Sequence, residues 1–400
     1  MPLLLCFTGL LVVRWYKEEA VEYAGGIENE KPNESFKIFA AAIMLRAAVL
    51  ILMAAAAAVF KEETASIIPG FDSWDGRHYL NLIEQGYSGY TEEGKHLFLV
   101  FFPLYVWICR PIYWITGSSA AAGVLVSFFA FGTGTVYLYK LVRLFALKKT
   151  AYYTVLYISI FPFSFFYGLV MTESLFLLTT TAALYYIGKH KWLKAGIWGM
   201  LAALTRITGI LIFVSILTEL ITYSKTFRKE IRTKFFILNL YKGLLPICGT
   251  IGYLLLNFYV DGNPFAFLKH QEHWYQTADF LPNVIARICR EIGSGRTMAF
   301  EVWLPELFLF IGGIVLLIIG LREKSFPVFL LVYGFLYFVS NYSLSWPLSI
   351  GRYMSCCVPI FIILANTASK HKHLERCVTP AFSMLFMFYF IAFITGKQVM

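Results

Sequence analysis

Two carboxylates, Asp72 and Asp75, flank Trp74 in the stretch FDSWDGRHYLNLIEQGY at 71–87, with His78 and Tyr79 close behind. Local rules make this a helix start: Asp72 or Ser73 caps it, Asp75 sits in the first turn and Gly86 stops it. Asp75 then shares a face with His78 and Tyr79 at i+3 and i+4. Capping alone accounts for most isolated D-x-x-D pairs. The neighbouring Trp, the His and Tyr, and the FFPLY segment from Phe101 exceed what capping requires. A carboxylate in such company is a candidate general base, because partial desolvation makes it a better proton acceptor. Asp75 is assigned that role, with Asp72 as the second candidate. His78 either orients a substrate or packs.

Four further places carry charge or hydrogen-bonding groups. Glu173 in MTES opens a helix, where an acid also suits the dipole. Arg206 interrupts an apolar run, where a charge at helix centre costs about 2.5–3.5 kcal/mol on insertion scales. Gln271, His273 and Trp274 belong to HQEHW at 270–274. HQEH offers two His at i and i+3 without a third ligand nearby, so substrate contact is preferred to zinc. Arg352 follows Gly351 at the mouth of an apolar run, as a phosphate ligand or an interfacial anchor. No Gly-rich phosphate loop follows a strand, so no soluble nucleotide site is expected.

The elements that must position these residues are membrane helices. Of 400 residues, 58% are hydrophobic and 14% charged, against roughly 45–50% and 25% in soluble domains. Apolar runs of spanning length fall near 37–60, 119–143, 150–169, 174–188, 235–259, 303–321, 326–345, 352–369 and 378–396. Residues 97–117, with Pro103, Arg110 and Pro111, read as a bent interfacial segment or short hairpin. Residues 192–223 exceed one straight span and break at 206–209. The expected fold is all-α and polytopic, with about 11 to 13 transmembrane helices on these length rules. The apolar start MPLLLCFTGLLVV is short for a span, and it lacks the basic region and cleavage site of a secretory signal. Residues 1–36 are left unassigned, and 37–400 form one module with external loops at 61–118 and 260–302.

Basic clusters at 140–149, 189–194, 225–234, 322–324 and 370–376 hold 17 of the 34 Lys and Arg. The positive-inside rule places them in the cytoplasm, and counting 192–223 as two passes puts all five on one side. The candidate chemistry then gathers on the other side. The net charge of +10 therefore concerns membrane orientation, not nucleic acid. Seven scattered Cys, without C-x-x-C spacing, indicate neither zinc nor a disulfide framework.

WDGRHYLNLIEQGY followed by FFPLYVWICRP resembles the first external loop of the PIG-V-like mannosyltransferases, membrane glycosyltransferases of the GT-C type. MTESLF at 171–176, LTRITGIL at 204–211, HQEHW at 270–274 and GRYMSCCVPIFIIL at 351–364 follow in the same order. The resemblance runs from about residue 37 to 370. It implies a GT-C-like fold and transfer of a sugar, commonly mannose, from a polyprenyl- or dolichyl-phosphate sugar to an acceptor hydroxyl. The partners implied are that lipid-phosphate donor, a lipid or glycan acceptor and membrane lipids. No cofactor is specified, and a divalent cation stays open. The site would face outward from a bacterial plasma membrane or into the endoplasmic reticulum lumen of a eukaryote. A transporter or flippase of a lipid or sugar is the rival reading. It calls for internal repeats with paired broken helices, whereas one break and no convincing repeat are visible. Convergence of Asp75, Arg206, Arg352 and 270–274 on one cavity beside a lipid-facing groove is the discriminating observation.

Overall fold

A computed structural model of the chain describes residues 2–18, 32–60, 74–274, 276–295, 298–397 and 399. Among them the regular structure is helical, with two isolated β-bridges, Glu92 to Lys95 and Ala278 to Leu344. The chain opens with α1 (Pro2–Lys17), α2 (Pro32–Phe60), α3 (Asp75–Gln85) and α4 (Pro103–Thr116). A central group follows: α5 (Ser119–Arg143), α6 (Lys148–Ser159), α7 (Glu173–Gly188), α8 (Trp192–Thr205) and α9 (Leu211–Ser224). α10 (Lys229–Gly243) runs almost directly into α11 (Leu245–Asp261), and α12 (Ala266–His273) and α13 (Leu281–Gly293) fill the expected 260–302 loop. The chain closes with α14 (Leu304–Arg322), α15 (Val328–Asn341), the five-residue α16 (Ile350–Met354), α17 (Val358–Lys370) and α18 (Lys372–Ile394).

This is an integral membrane protein. Among the described residues six helical stretches are long and apolar enough to cross a bilayer, and Val328–Asn341 and Val358–Lys370 are shorter apolar helices. α7 lies at the centre, buried on almost every side, as a helix apolar all round must be. α8 approaches the end of α10 and the start of α11 until there is no room for a Cβ at Gly196 or Gly249, which face the backbone carbonyls of Lys242 and Met200. Small residues let membrane helices pack backbone to backbone in this way.

Three breaks shape the bundle. The run at 150–169, expected as one span, stops at Ser159 and resumes as a 3-10 turn at Ser164–Gly168. Pro162 explains the stop: it lacks an amide donor and disfavours a helical Phe161. The freed carbonyls of Ser159 and Ser164 each accept from fully buried Arg46 of α2, at 2.5 Å. The break in 192–223 is where the sequence places it. Arg206 is extended (φ −153°), and a 3-10 turn at Ile207–Ile210 leads into α9. The run at 352–369 divides at Cys356 and Cys357 into α16 and α17. Residues 97–117 form a 3-10 turn, Leu97–Val100, and then α4, whose Trp107, Trp114 and Ile115 face outward, as interfacial aromatics do.

The basic segments meet at one end. Lys149 bonds Glu375 at 3.0 Å and Lys370 bonds Glu323 at 2.5 Å. Arg14 of α1 donates to the carbonyls of Gly320, Leu321, Glu323 and Phe326, closing the end of α14. Lys225 reaches the carbonyls of Trp15 and Tyr16, and His190 stacks on Tyr223 at 3.9 Å.

The topology is open to direct test by single cysteines in a cysteine-free chain. An impermeant thiol reagent applied from outside should label Cys at exposed positions 88 and 277 and miss exposed positions 226 and 325. Labelling of position 226 from outside would break the two-pass reading of 192–223.

Candidate functional site

Opposite the basic end, the breaks bring four charged side chains together. Glu173, the first residue of α7, is fully buried, and its Oε1 accepts from Arg206 Nη2 and from Arg352 Nε, the latter at 2.5 Å. Arg352 Nη2 in turn pairs with Asp75 Oδ2 at 2.5 Å. Arg206 Nε donates to Thr172 Oγ1 at 2.9 Å. The order is Asp75, Arg352, Glu173, Arg206, with charges alternating and cancelling. Tyr353 lies under both guanidiniums, 5.4 Å from Arg206 and 5.6 Å from Arg352, and Phe166 and Phe176 flank them. Cations over ring faces gain a further attraction.

The chain of charges forms the floor of a cavity of about 540 Å³. Glu173 is shut beneath it, Arg352 is 5% exposed, and the Asp75 side chain is 31% exposed. Asp75 is therefore the carboxylate a bound molecule meets. Arg206, Thr172 and Tyr79 lie beside it, the Ser340–Asn341 end of α15 forms another wall, and Gln271 and Trp274 close over the top. On the far side of α15, Phe335 and Phe338 line a second hollow of about 430 Å³, purely hydrocarbon in its lining, with Phe7, Phe310 and Ile285. An apolar groove thus lies one helix away from a charged cavity.

The sequence-assigned residues divide accordingly. Asp75, Arg206, Arg352, Gln271 and Trp274 line the cavity, and Glu173 holds the two arginines from beneath. Arg352 is not an exposed interfacial anchor, being buried in two ion pairs. His78 stands behind the wall. Its Nδ1 is 3.1 Å from the Tyr90 hydroxyl and its ring stacks on Phe98 at 4.6 Å and meets Trp274 edge-on at 5.4 Å. Burial lowers the pKa of His78 below its ordinary value, against a smaller upward pull from Asp75. His273 is exposed and touches Trp274 edge-on without lining the cavity.

Asp72 and Ser73 lie outside the described residues. Helix α3 starts at Asp75, later than expected, after Trp74 in a positive-φ conformation (φ 59°) that makes no capping bond. Trp74 packs against the core, away from the cavity lining. Gly86 ends the helix, at φ 75°. Among the described residues, no three His, Cys, Asp or Glu are grouped to hold a metal ion.

Sequence reasoning missed Tyr79, Tyr353, Asn341 and Gln276 as cavity residues. Asn341, at the end of an apolar helix, was a signal. It also missed Arg46 and Glu306, buried ionisable residues inside apolar runs, which mark functional positions in membrane proteins by default.

Comparison with known proteins bears on the fold. The family model described as dolichyl-phosphate-mannose-protein mannosyltransferase matches residues 102–252, a segment with Glu173 and Arg206 but neither Asp75 nor Arg352. No curated protein matches the chain. Among solved structures, ArnT from Cupriavidus metallidurans bound to undecaprenyl phosphate is similar with a TM-score of 0.50 and 13% identity, over 80% of this chain and 70% of ArnT. The fold is GT-C-like. The Archaeoglobus fulgidus oligosaccharyltransferase, in complex with Zn and sulfate, gives 0.50 and 13%, over 90% of this chain and 53% of that one. The chain thus spans about half the length of that enzyme.

Removing Glu173, which is fully buried, would leave Arg206 without its carboxylate partner and Arg352 with that of Asp75 alone. Glu173→Ala should therefore cost about 3–5 kcal/mol, the scale for breaking a buried ion pair. Asp75→Asn, at a partly exposed position, should cost about 1 kcal/mol or less. Thermal melts of the two variants in detergent check this. Equal melting temperatures would refute Glu173 as the clamp.

Proposed function

We propose that this protein is a membrane glycosyltransferase that moves a sugar from a lipid-phosphate donor to an acceptor hydroxyl. The observation that carries the reading is the Asp75–Arg352–Glu173–Arg206 chain at the floor of the cavity, with its one solvent-reached carboxylate beside two held guanidiniums. The reaction needs those parts. An acceptor hydroxyl attacks the anomeric carbon as the bond from that carbon to the phosphate oxygen breaks. Asp75 takes the hydroxyl proton, since a positioned carboxylate serves as general base. The departing lipid phosphate keeps the bonding electron pair, and Arg352 and Arg206 offset its charge, Arg being suited to planar, bidentate contact with phosphate.

The apolar groove across α15 suits the donor's hydrocarbon chain, and Trp274, with Gln271 and Gln276, offers an aromatic and amide rim of the kind that suits a sugar. A fold similar to that of ArnT, solved with undecaprenyl phosphate, agrees with such a donor. The matched mannosyltransferase model and the PIG-V-like order of motifs favour mannose as the sugar. The cavity lies opposite the basic end and so is proposed to open extracytoplasmically, at the outer face of a bacterial plasma membrane or in the lumen of the endoplasmic reticulum. The Asp75–Arg352–Glu173–Arg206 cluster lies at the end of the bundle opposite the basic segments, whereas transporter sites lie near the midplane.

Membranes containing the protein, supplied with labelled polyprenyl-phosphate mannose and a panel of lipid and glycan acceptors, should form labelled product. Asp75→Asn should lower transfer about 100-fold or more, the scale of general-base loss, at undiminished abundance. Arg352→Lys should lower it with abundance likewise kept, because an ammonium lacks the planar fork. An EDTA arm, with and without added magnesium, reports whether a divalent cation takes part. Parental rates from Asp75→Asn would remove it as the base. Movement of the labelled lipid across the bilayer without transfer would replace the enzyme reading by the transporter one.

A further inference from the structure

Glu306 is absent from the cavity wall, yet it is a 2% exposed carboxylate in the first turn of α14, whose next fifteen residues, Leu307 to Leu321, are apolar or glycine. A helix start favours an acid through its dipole, but a side chain pointing to water satisfies that as well. Glu306 turns inward. Its Oε1 accepts from the Gly351 amide at 2.8 Å, with the Ile350 amide beside it, and its Oε2 is buried without a hydrogen-bond partner among the described residues. The Tyr342 hydroxyl donates to the Glu306 carbonyl at 3.1 Å and fixes the turn that carries the side chain. Burying a carboxylate is expensive unless its oxygens are bonded. An unused oxygen therefore directs attention to what the other one does.

What it holds is the start of α16. This helix has five residues, too few to sustain its own direction. It begins after Ser349, in the left-handed conformation at φ 72°, and Gly351 lies against the Phe163 ring with no room for a Cβ. The backbone there is set between an aromatic ring on one side and the Glu306 carboxylate on the other. The next residue is Arg352.

We propose that Glu306 is a positioning residue: by holding the Gly351 amide it aims α16 and so sets the Arg352 guanidinium between Asp75 and Glu173. The consequence for ligand binding rests on the reading of Arg352 as a phosphate ligand; the geometric claim does not. Reach, not charge, is what the role requires. Glu306→Gln keeps an acceptor oxygen at the same reach without charge. Glu306→Asp keeps the charge and withdraws the oxygen by one methylene.

Hydrogen–deuterium exchange of the whole chain in detergent reads residues 349–355 directly. Glu306→Gln should keep their protection within about threefold of the parent, while Glu306→Asp and Glu306→Leu should raise their exchange about tenfold or more and leave α7 unchanged. Binding of undecaprenyl phosphate should weaken about tenfold with Asp and Leu but not with Gln. Added to Arg352→Lys, Glu306→Asp should weaken it no more than about twofold further, because both changes act through one guanidinium. Should the Leu variant fail to insert, the Gln and Asp pair carries the test. The proposal is overturned if Gln is as damaging as Leu or Asp, if exchange rises evenly through the bundle, or if the losses in the double variant multiply. Should the parent not bind undecaprenyl phosphate, the phosphate reading of the cavity fails, and the exchange measurement still decides the positioning role.

Discussion

A single carboxylate oxygen accepting from two arginines is the contact on which the rest of this end of the molecule depends. Arg206 and Arg352 bond the same carboxylate oxygen and lie against the same tyrosine ring, and at that range two cations largely withdrawn from water repel strongly. Glu173 makes their closeness tolerable by bonding both. It comes from a third part of the chain, so three segments must arrive together for the one oxygen to bond both arginines. Neighbouring contacts follow the same convergence. Tyr167 donates to the Ser355 carbonyl at 2.7 Å, Ser174 to the Tyr167 carbonyl at 2.5 Å, and Cys356 lies 3.6 Å from the Glu173 carbonyl.

The charged residues share a local setting. Asp75 and Glu173 are the first residues of their helices, Arg206 lies in the break between two, and Arg352 sits in a one-turn fragment. Helix ends leave backbone groups unpaired, and at membrane depth these are tolerated only inside protein or beside a water-filled cavity. The breaks that build the site therefore need partners of their own. Arg46 supplies two donors to the carbonyls of Ser159 and Ser164, while lying 4.7 Å from the centre of the Phe131 ring. A charge buried in α2 thus steadies the irregular segment leading to Glu173.

Much of this was legible in the sequence where the signal was local. The break at Arg206, the stop at Gly86 and the common side of the basic segments follow from residue types and spacing, and the candidates that the sequence offers at Asp75, Arg206, Arg352, Gln271 and Trp274 line one cavity. What escaped was nonlocal. Arg46 lies in an Ala-rich run that reads as an ordinary span, and its partners are 113 and 118 residues away. The reading of 150–169 as one span gave hydrophobicity more weight than Pro162, whose steric demand prevailed. His78 shares a helix face with Asp75 but is drawn into a cluster of rings supplied by 90–101 and Trp274, which periodicity within one helix cannot reveal.

The Arg14 contact has a consequence for the order of assembly. α1 is synthesised before α14, yet the carbonyls that its arginine closes belong to residues some 306 positions later. Those of Leu321, Glu323 and Phe326 come later still. Contacts this distant in sequence form late, after the loop between them has been closed. Until α14 and α15 are made, α1 lacks them as packing partners and the Arg14 guanidinium lacks its four carbonyls. Seating α1 against α14 and α15 then marks a chain as having been threaded through at least α15.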